Sequence, residues 1–161
     1  MLLFSSNNRA RAFTSPYIVI EGTYLVREET GFETTADLDK DGLRIAVGQN
    51  AAYDLFLSLA LKQATIVRAQ TPTAALEMFA GEGLDAAAGV RQALDAFAAA
   101  RTGFRVLPDG FMVIQQALAT PRGREEVGRY LDAYIADLKS SGWLRAALDR
   151  NGQASVPLAA P

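Results

Sequence analysis

"LRIAVGQNAAYDLFLSLALKQATIVRA", residues 43–69, combines a strand, a helix and a second strand in one short stretch. The segment 43–48 is apolar and ends in glycine, and the segment 64–69 is rich in strand-forming residues, as is typical of buried strands. Between them, 50–62 has the pattern of a helix, for which Asn50 is the predicted N-cap. Joints this short between strand, helix and strand predict a βαβ unit.

The same alternation of strands and helices continues on both sides of this unit. Before it, the turn signal Ser15-Pro16 opens a β-prone run at 16–26, and a polar connector follows at 27–42. After it, Pro72 stands in the first turn of a predicted helix, where its missing N–H costs nothing. This order predicts a parallel α/β sheet. The further elements predicted after residue 69 are a helix at 71–79, a strand at 84–90, a helix at 91–101 and strands at 104–108 and 111–120.

The C-terminal part changes from alternating elements to two consecutive helices. Thr120-Pro121 is predicted to cap the first and longer of the two. Its apolar stripe consists of Val127, Leu131, Tyr134, Ile135 and Leu138. A shorter helix restarts near Ser140 and is closed by Asn151-Gly152. The last residues, 153–161, are predicted to be a flexible tail.

The composition excludes several classes of function. The 161 residues contain sixteen Lys and Arg against eighteen Asp and Glu, and no basic stripe appears, so nucleic acid is not an expected partner. The absence of cysteine and histidine excludes disulfides, thiol catalysis, an imidazole base and zinc sites built on these ligands. Any metal would need oxygen ligands, and no cofactor is predicted. The first thirteen residues lack the apolar core of a signal peptide.

Four stretches of the chain, in their order and spacing, resemble one known family. They are "AFTSPYIVIEGTYLV" (12–26), "ADLDKDGLRIAVGQNAAYDLFL" (36–57), "GEGLDAAAGV" (81–90) and "GWLRAALDRNG" (142–152). The family is that of the extracellular solute-binding proteins of family 3, the two-lobed receptors of polar amino-acid ABC transporters. The element at 13–17 is similar to the family's Phe-Ser-x-Pro-Tyr signature.

The resemblance implies an α/β fold of the periplasmic-binding-protein-like type II class. Residues 1–26 would then be a remnant of lobe 1 with the first hinge strand, and 27–112 would form lobe 2. Residues 113–152 would supply the return hinge strand and the C-terminal helices. Most of lobe 1 is expected to be missing, and the resemblance places the protein in the periplasm.

The turn at 48–51 is the first candidate site. A glycine at a strand end followed by a helix N-terminus exposes backbone N–H groups, which suits a carboxylate. The resemblance implies that Gly48, Gln49, Asn50 and Ala51 bind the carboxylate of a ligand. The alternative is a plain strand-to-helix joint.

A second candidate site lies at the end of the strand 84–90. Relatives that bind α-amino acids usually place an aspartate five residues after the first Asp of this strand, and Val90 occupies that position here. Valine cannot pair with an ammonium group, so either the ligand is not an ordinary α-amino acid or the site no longer binds. Arg91 could offer a bidentate fork to an acidic ligand. The alternative is a solvated arginine in the first turn of a helix.

Glu21, in the middle of an apolar strand, is the last candidate. It could bind a cation or a hydroxyl, or it could face outward without a role. Together these candidates support the first hypothesis. In this hypothesis the protein is a binding module for a small polar or carboxylate-bearing solute of an ABC transporter, and the transporter permease is its partner.

Two other hypotheses stay open. One is a truncated relative without a transport role that forms a homodimer through strand or helix exchange, because an unpaired strand and an exposed apolar stripe favour association. The other is an enzyme similar to cyclohexadienyl dehydratases, with Glu21 as the catalytic carboxylate. We expect that the protein is not an enzyme.

Overall fold

The structure, a computed structural model, describes residues 11–160. The strands are β1 (Arg11–Phe13), β2 (Ile18–Arg27), β3 (Arg44–Gly48), β4 (Thr65–Ala69), β5 (Ala86–Val90), β6 (Phe104–Val106), β7 (Met112–Gln116) and β8 (Ala119–Pro121). The helices are α1 (Ala52–Ala60), α2 (Pro72–Gly81), α3 (Arg91–Ala100), α4 (Glu125–Ser140) and α5 (Trp143–Arg150), and a short 3-10 helix spans Thr35–Leu38. No helix within 11–160 is both long enough and apolar enough to cross a bilayer.

The described residues form two compact units. The sheet unit is Glu21–Val113, and the terminal unit comprises the described residues through Ile20 and from Ile114 onward. The chain passes from one unit to the other within β2 and returns within β7. The predicted domain boundaries, at 26, 112 and 152, stay a prediction.

The sheet unit contains a mixed sheet, whereas the alternation of the sequence predicts a parallel one. The strand order is β4-β3-β5-β2-β6. Strand β3 is parallel to both β4 and β5, as the short helical crossovers require. Strand β2 is antiparallel to β5 and to β6, with Gly22 opposite Val90. The prediction was wrong for β2 because this strand is followed by an irregular connector rather than by a crossover helix.

Two apolar clusters cover the two faces of this sheet. Tyr24, Val26 and Ile45 belong to a cluster that α1 completes with Tyr53 and Leu57. The intervening residues Leu25, Ala46 and Ala87 belong to a second cluster, which α2 and α3 complete with Leu76, Phe79 and Leu94. This alternation follows from the two-residue period of a strand. The sheet unit therefore has a helix layer on each face.

In the terminal unit, β1 pairs antiparallel with β8, and Ala12 lies opposite Thr120. The prediction that Thr120-Pro121 caps the long helix is wrong, because both residues lie in β8 and α4 begins only at Glu125. The flexibility expected of the tail stays a prediction. In the structure, the Val19 N–H donates to the Pro157 carbonyl at 3.0 Å, and Val156 is buried. The described part of the tail therefore pairs with the first residues of β2.

Candidate functional site

The helices α1, α2 and α3 begin close behind the carboxyl ends of β3, β4 and β5. A cavity of about 240 Å³ lies at this edge of the sheet unit. In open α/β sheets, ligands bind in the crevice outside the carboxyl ends of the strands. The cavity is lined by Tyr53, Pro72, Leu76, Ala88, Gly89, Val90, Ala93 and Leu94. This edge is the candidate functional site.

Gly48 allows two elements to close tightly over the end of β3. A Cβ atom at this position would lie 2.8 Å from the Pro72 nitrogen and 2.9 Å from the Tyr53 hydroxyl oxygen. Any larger residue would therefore push α2 and Tyr53 away from the strand end. The Tyr53 ring is 4% exposed, and its burial raises the pKa of its hydroxyl, although the Gly48 backbone opposes part of that shift. The cavity thus borders a tightly packed strand end.

The N–H groups of the turn at 48–51 donate hydrogen bonds to acceptors within the chain. The Gln49 N–H donates to the Ala69 carbonyl at 2.8 Å, and the Ala51 N–H donates to the Gly48 carbonyl at 3.2 Å. The Asn50 N–H donates to a carboxylate oxygen of Asp54 at 2.9 Å. These three donors, which the sequence predicts as contacts for a ligand carboxylate, already have partners within the chain.

The sequence predicts Asn50 as the N-cap of α1, but Ala51 takes that position in the structure. The φ angle of Asn50 is 61°, in the left-handed region that asparagine adopts more readily than most other residues. In this conformation its N–H donates to the Asp54 carboxylate.

Asp54, which sequence reasoning missed, holds the N-terminus of α1 together. Its side chain is nearly fully buried, and it accepts a hydrogen bond from Arg68 Nε at 2.9 Å as well as the one from Asn50. A carboxylate in the first turn of a helix compensates the positive end of the helix dipole. Its position four residues after Asn50 is visible in the sequence, whereas its pairing with Arg68 on β4 depends on the fold.

Glu21 and Arg91 lie together and bind each other. Arg91 Nε donates to Glu21 Oε2 at 2.5 Å. The same guanidinium donates to the carbonyls of Leu107 at 2.9 Å, Pro108 at 3.0 Å and Asp109 at 3.2 Å. Arg91 is therefore neither a free fork for an acidic ligand nor a solvated arginine, and it ties the start of α3 to the segment after β6.

The segment 107–110 is fixed by further contacts. The Asp109 carboxylate accepts hydrogen bonds from the N–H and the hydroxyl of Thr35. The Asp109 carbonyl accepts one from the Thr23 hydroxyl at 2.6 Å. A Cβ atom at Gly110 would lie 2.5 Å from Glu21 Cγ, so glycine is needed for this close approach. The acidic groups around this segment are thus engaged within the sheet unit.

The structure divides the predicted site residues into two groups. Gly48, with the turn that follows it, lies against Tyr53 and Pro72 beside the cavity. Glu21 and Arg91 form their own pair, and neither lines the cavity. Tyr53 carries the polar side chain of the lining, which sequence reasoning did not select because a tyrosine in a helix is more often a core residue.

The fold matches solved structures of solute-binding proteins. The putative binding component of an ABC transporter from Wolinella succinogenes, complexed with lysine, superposes with a TM-score of 0.79 at 20% identity, over 91% of this chain and 65% of that one. The solute receptor for L-cysteine of Neisseria gonorrhoeae gives 0.75 at 19% identity, over 89% and 58%. An ancestral amino-acid-binding protein, a precursor of cyclohexadienyl dehydratase, gives 0.77 at 17% identity, over 93% and 64%.

These comparisons confirm the fold class that the sequence predicts, an α/β fold of the periplasmic-binding-protein-like type. The chain spans 58–65% of the length of these three proteins. No protein-family model matches the chain. No curated protein matches it either.

Proposed function

We propose that this protein is a solute-binding domain of the family 3 type, which holds a small polar or carboxylate-bearing solute at the carboxyl edge of the sheet unit. The observation that carries this proposal is the cavity of about 240 Å³ beside the first turns of three helices. The amino-acid-binding proteins of the same fold support it by analogy. No bond of the solute is made or broken in this function.

The cavity suits reversible capture of a small molecule. Ligand pockets are concave and mostly apolar, with a few polar groups that set the orientation of the ligand. Here seven lining residues have apolar side chains or none, and Tyr53 supplies a hydroxyl. The positive ends of the adjacent helix dipoles favour a solute with negative charge. An ABC transporter permease would be the partner, and the periplasm would be the compartment.

The test is calorimetric titration of the whole chain with a panel of polar amino acids and small carboxylates. Ala93 is exposed at the cavity, so Ala93→Phe is expected to block it and to abolish the heat of binding. Ala96→Phe is the matched control, because Ala96 lies one turn further along α3, is exposed and does not line the cavity. A panel without any response would overturn the proposal, as would equal binding by the two variants.

A second candidate function is the homodimeric relative without a transport role. The observation that favours it is the exposed apolar surface of α4, where Tyr130 is 70% and Tyr134 is 47% exposed and the two rings stack. A second copy would cover these rings. Multi-angle light scattering should then give twice the chain mass, and Tyr130→Lys with Tyr134→Lys should restore the monomer. Leu59→Lys, at an exposed position of α1, is the control. A monomer at high concentration would contradict this candidate.

The enzymatic hypothesis gains no support at Glu21. Its carboxylate is paired with Arg91, and the guanidinium is anchored to three further carbonyls. A general acid or base must reach the proton that it transfers. We therefore propose binding rather than catalysis.

A further inference from the structure

The cavity of the sheet unit has an unusual chemistry for a site that would take an amino acid. Its lining residues are Tyr53, Pro72, Leu76, Ala88, Gly89, Val90, Ala93 and Leu94, and none of them is acidic. The polar side chain of this set is Tyr53, which is 4% exposed. A buried ammonium group needs a carboxylate or several acceptors to replace its hydration. The lining of this cavity supplies neither.

Three acidic side chains of the sheet unit, Asp54, Glu21 and Asp109, are engaged in contacts within the chain. Asp54 is paired with Arg68 and accepts the Asn50 N–H. Glu21 is paired with Arg91. Asp109 accepts two hydrogen bonds from Thr35. A ligand ammonium could recruit one of these carboxylates only by breaking a contact that holds the sheet unit together.

The cavity borders the first turns of three helices. Val90 is the N-cap of α3, Tyr53 lies in the first turn of α1, and Pro72 opens α2. The first N–H groups of a helix have no partner within the helix, and its dipole favours negative charge. At α1 the dipole is already compensated by Asp54. At α2, Pro72 has no N–H and the Ala74 N–H donates to the Thr71 hydroxyl oxygen, so α3 is the end at which a carboxylate is expected.

The volume limits the size of the ligand. The volume of about 240 Å³ lies below the roughly 300–1,000 Å³ of pockets for drug-sized ligands, so the cavity suits a smaller ligand. The apolar walls, formed by Leu76, Val90 and Leu94, suit a branched aliphatic body.

From the lining, the engaged carboxylates and the helix ends, we infer that this cavity takes a small monocarboxylate with a branched apolar body and no α-ammonium group, such as a short 2-oxo or 2-hydroxy acid. This inference rests on the proposed function and narrows its solute class. The apolar body lies against Leu76, Val90 and Leu94. The carboxylate lies at the first turn of α3, near the Tyr53 hydroxyl.

The test compares two ligand pairs that differ in one group. Calorimetry of the whole chain with α-ketoisovalerate and valine, and with α-ketoisocaproate and leucine, holds the apolar body constant within each pair. We expect each oxo acid to bind at least about tenfold more tightly than its amino acid, which is ~1.4 kcal/mol. Equal or tighter binding of the amino acids would overturn the inference while leaving the proposed function intact. No binding by any of the four ligands or by the wider panel would overturn both.

Charge variants at the rim of the cavity locate the carboxylate. Ala93→Asp is expected to weaken binding of α-ketoisovalerate at least about tenfold, because like charges repel at close range. Ala93→Asn has nearly the same size without the charge, so it should weaken binding less than Ala93→Asp does. Ala96→Asp adds the same charge one turn further along α3 and should also retain it. If Ala93→Asp and Ala96→Asp bind equally well, the ligand lies elsewhere and the inference is wrong.

Discussion

The sheet unit and the terminal unit differ in how completely they bury their apolar residues. In the sheet unit, both faces of the sheet are covered by helices, and Leu25, Phe79 and Leu107 are fully buried. In the terminal unit, the buried apolar residues of the described chain are Ile114, Ile135, Val156 and Ala159. Large side chains remain exposed there, including Phe13, Leu118, Val127, Tyr130, Tyr134 and Trp143. The sheet unit also exposes large side chains, namely those of Leu55, Phe56, Leu59 and Val113. It nevertheless has a closed core, whereas the terminal unit buries few large apolar side chains.

This difference teaches where each unit obtains its stability. A closed core responds strongly to the loss of a single buried side chain, because the resulting cavity cannot collapse fully. Exposed aromatic residues contribute little to the folding of the chain that carries them. The exposed aromatic residues of the terminal unit are therefore expected to act in association. The buried residues of the sheet unit are expected to determine the stability of the chain.

The largest expected effect is that of Phe79→Ala. Phe79 is fully buried, packs edge-on against Phe104 and lies under the Arg27 guanidinium. Its truncation should lower the free energy of unfolding by about 3–5 kcal/mol. Tyr130→Ala, in the terminal unit, should change it by less than ~0.5 kcal/mol. Urea unfolding followed by circular dichroism measures both, and equal losses would contradict the comparison.

Sequence reasoning succeeded where a local pattern determines the structure. The βαβ segments and the helix opened by Pro72 follow from apolar runs and from turn residues that are adjacent in the chain. It failed where the partner is distant. The pairing of Glu21 with Arg91 joins residues seventy positions apart, and the pairing of the tail with β2 includes a bridge between Ile18 and Leu158.

The candidate site was only partly predictable for the same reason. The position of Gly48 at the end of a strand, before a helix, is a local signal. The use of the 49–51 N–H groups by Ala69, Gly48 and Asp54 is visible only when the strands and helices are assembled. Apolar lining residues such as Leu76 and Leu94 resemble ordinary core residues in the sequence. A cavity is a property of side-chain packing, so no single sequence motif predicts it.

A smaller effect should distinguish two ion pairs within the sheet unit. Arg91→Met removes the donor to Glu21 and to the three carbonyls of 107–109, of which Leu107 and Asp109 keep a hydrogen bond from Thr23. It should lower the free energy of unfolding by about 1–2 kcal/mol. The Arg101–Glu77 pair has two well-aligned contacts, but both side chains are about half exposed. Arg101→Met should therefore lower the free energy of unfolding less than Arg91→Met does. Equal costs would show that the contacts of Arg91 to 107–109 add no stability.

The smallest effect concerns the buried tyrosines of the sheet unit at alkaline pH. Burial raises the pKa of Tyr24 and of Tyr53 in the sheet unit, and nearby Asp39 adds to the shift at Tyr24. The folded chain therefore keeps protons that the unfolded chain loses above its ordinary tyrosine pKa of 10.0. Because the folded state binds more protons there, stability must fall as the pH rises above that value.

Absorbance of tyrosinate checks this prediction during a rapid rise in pH. Tyr24 and Tyr53 are buried, so they should ionise only in the slow phase in which the chain unfolds. Tyr24→Phe should therefore remove amplitude from this slow phase. If Tyr24→Phe instead reduced a fast phase before unfolding, the tyrosine would be accessible to hydroxide in the folded state. The closed core of the sheet unit would then open without global unfolding, and the contrast between the two units would be one of degree.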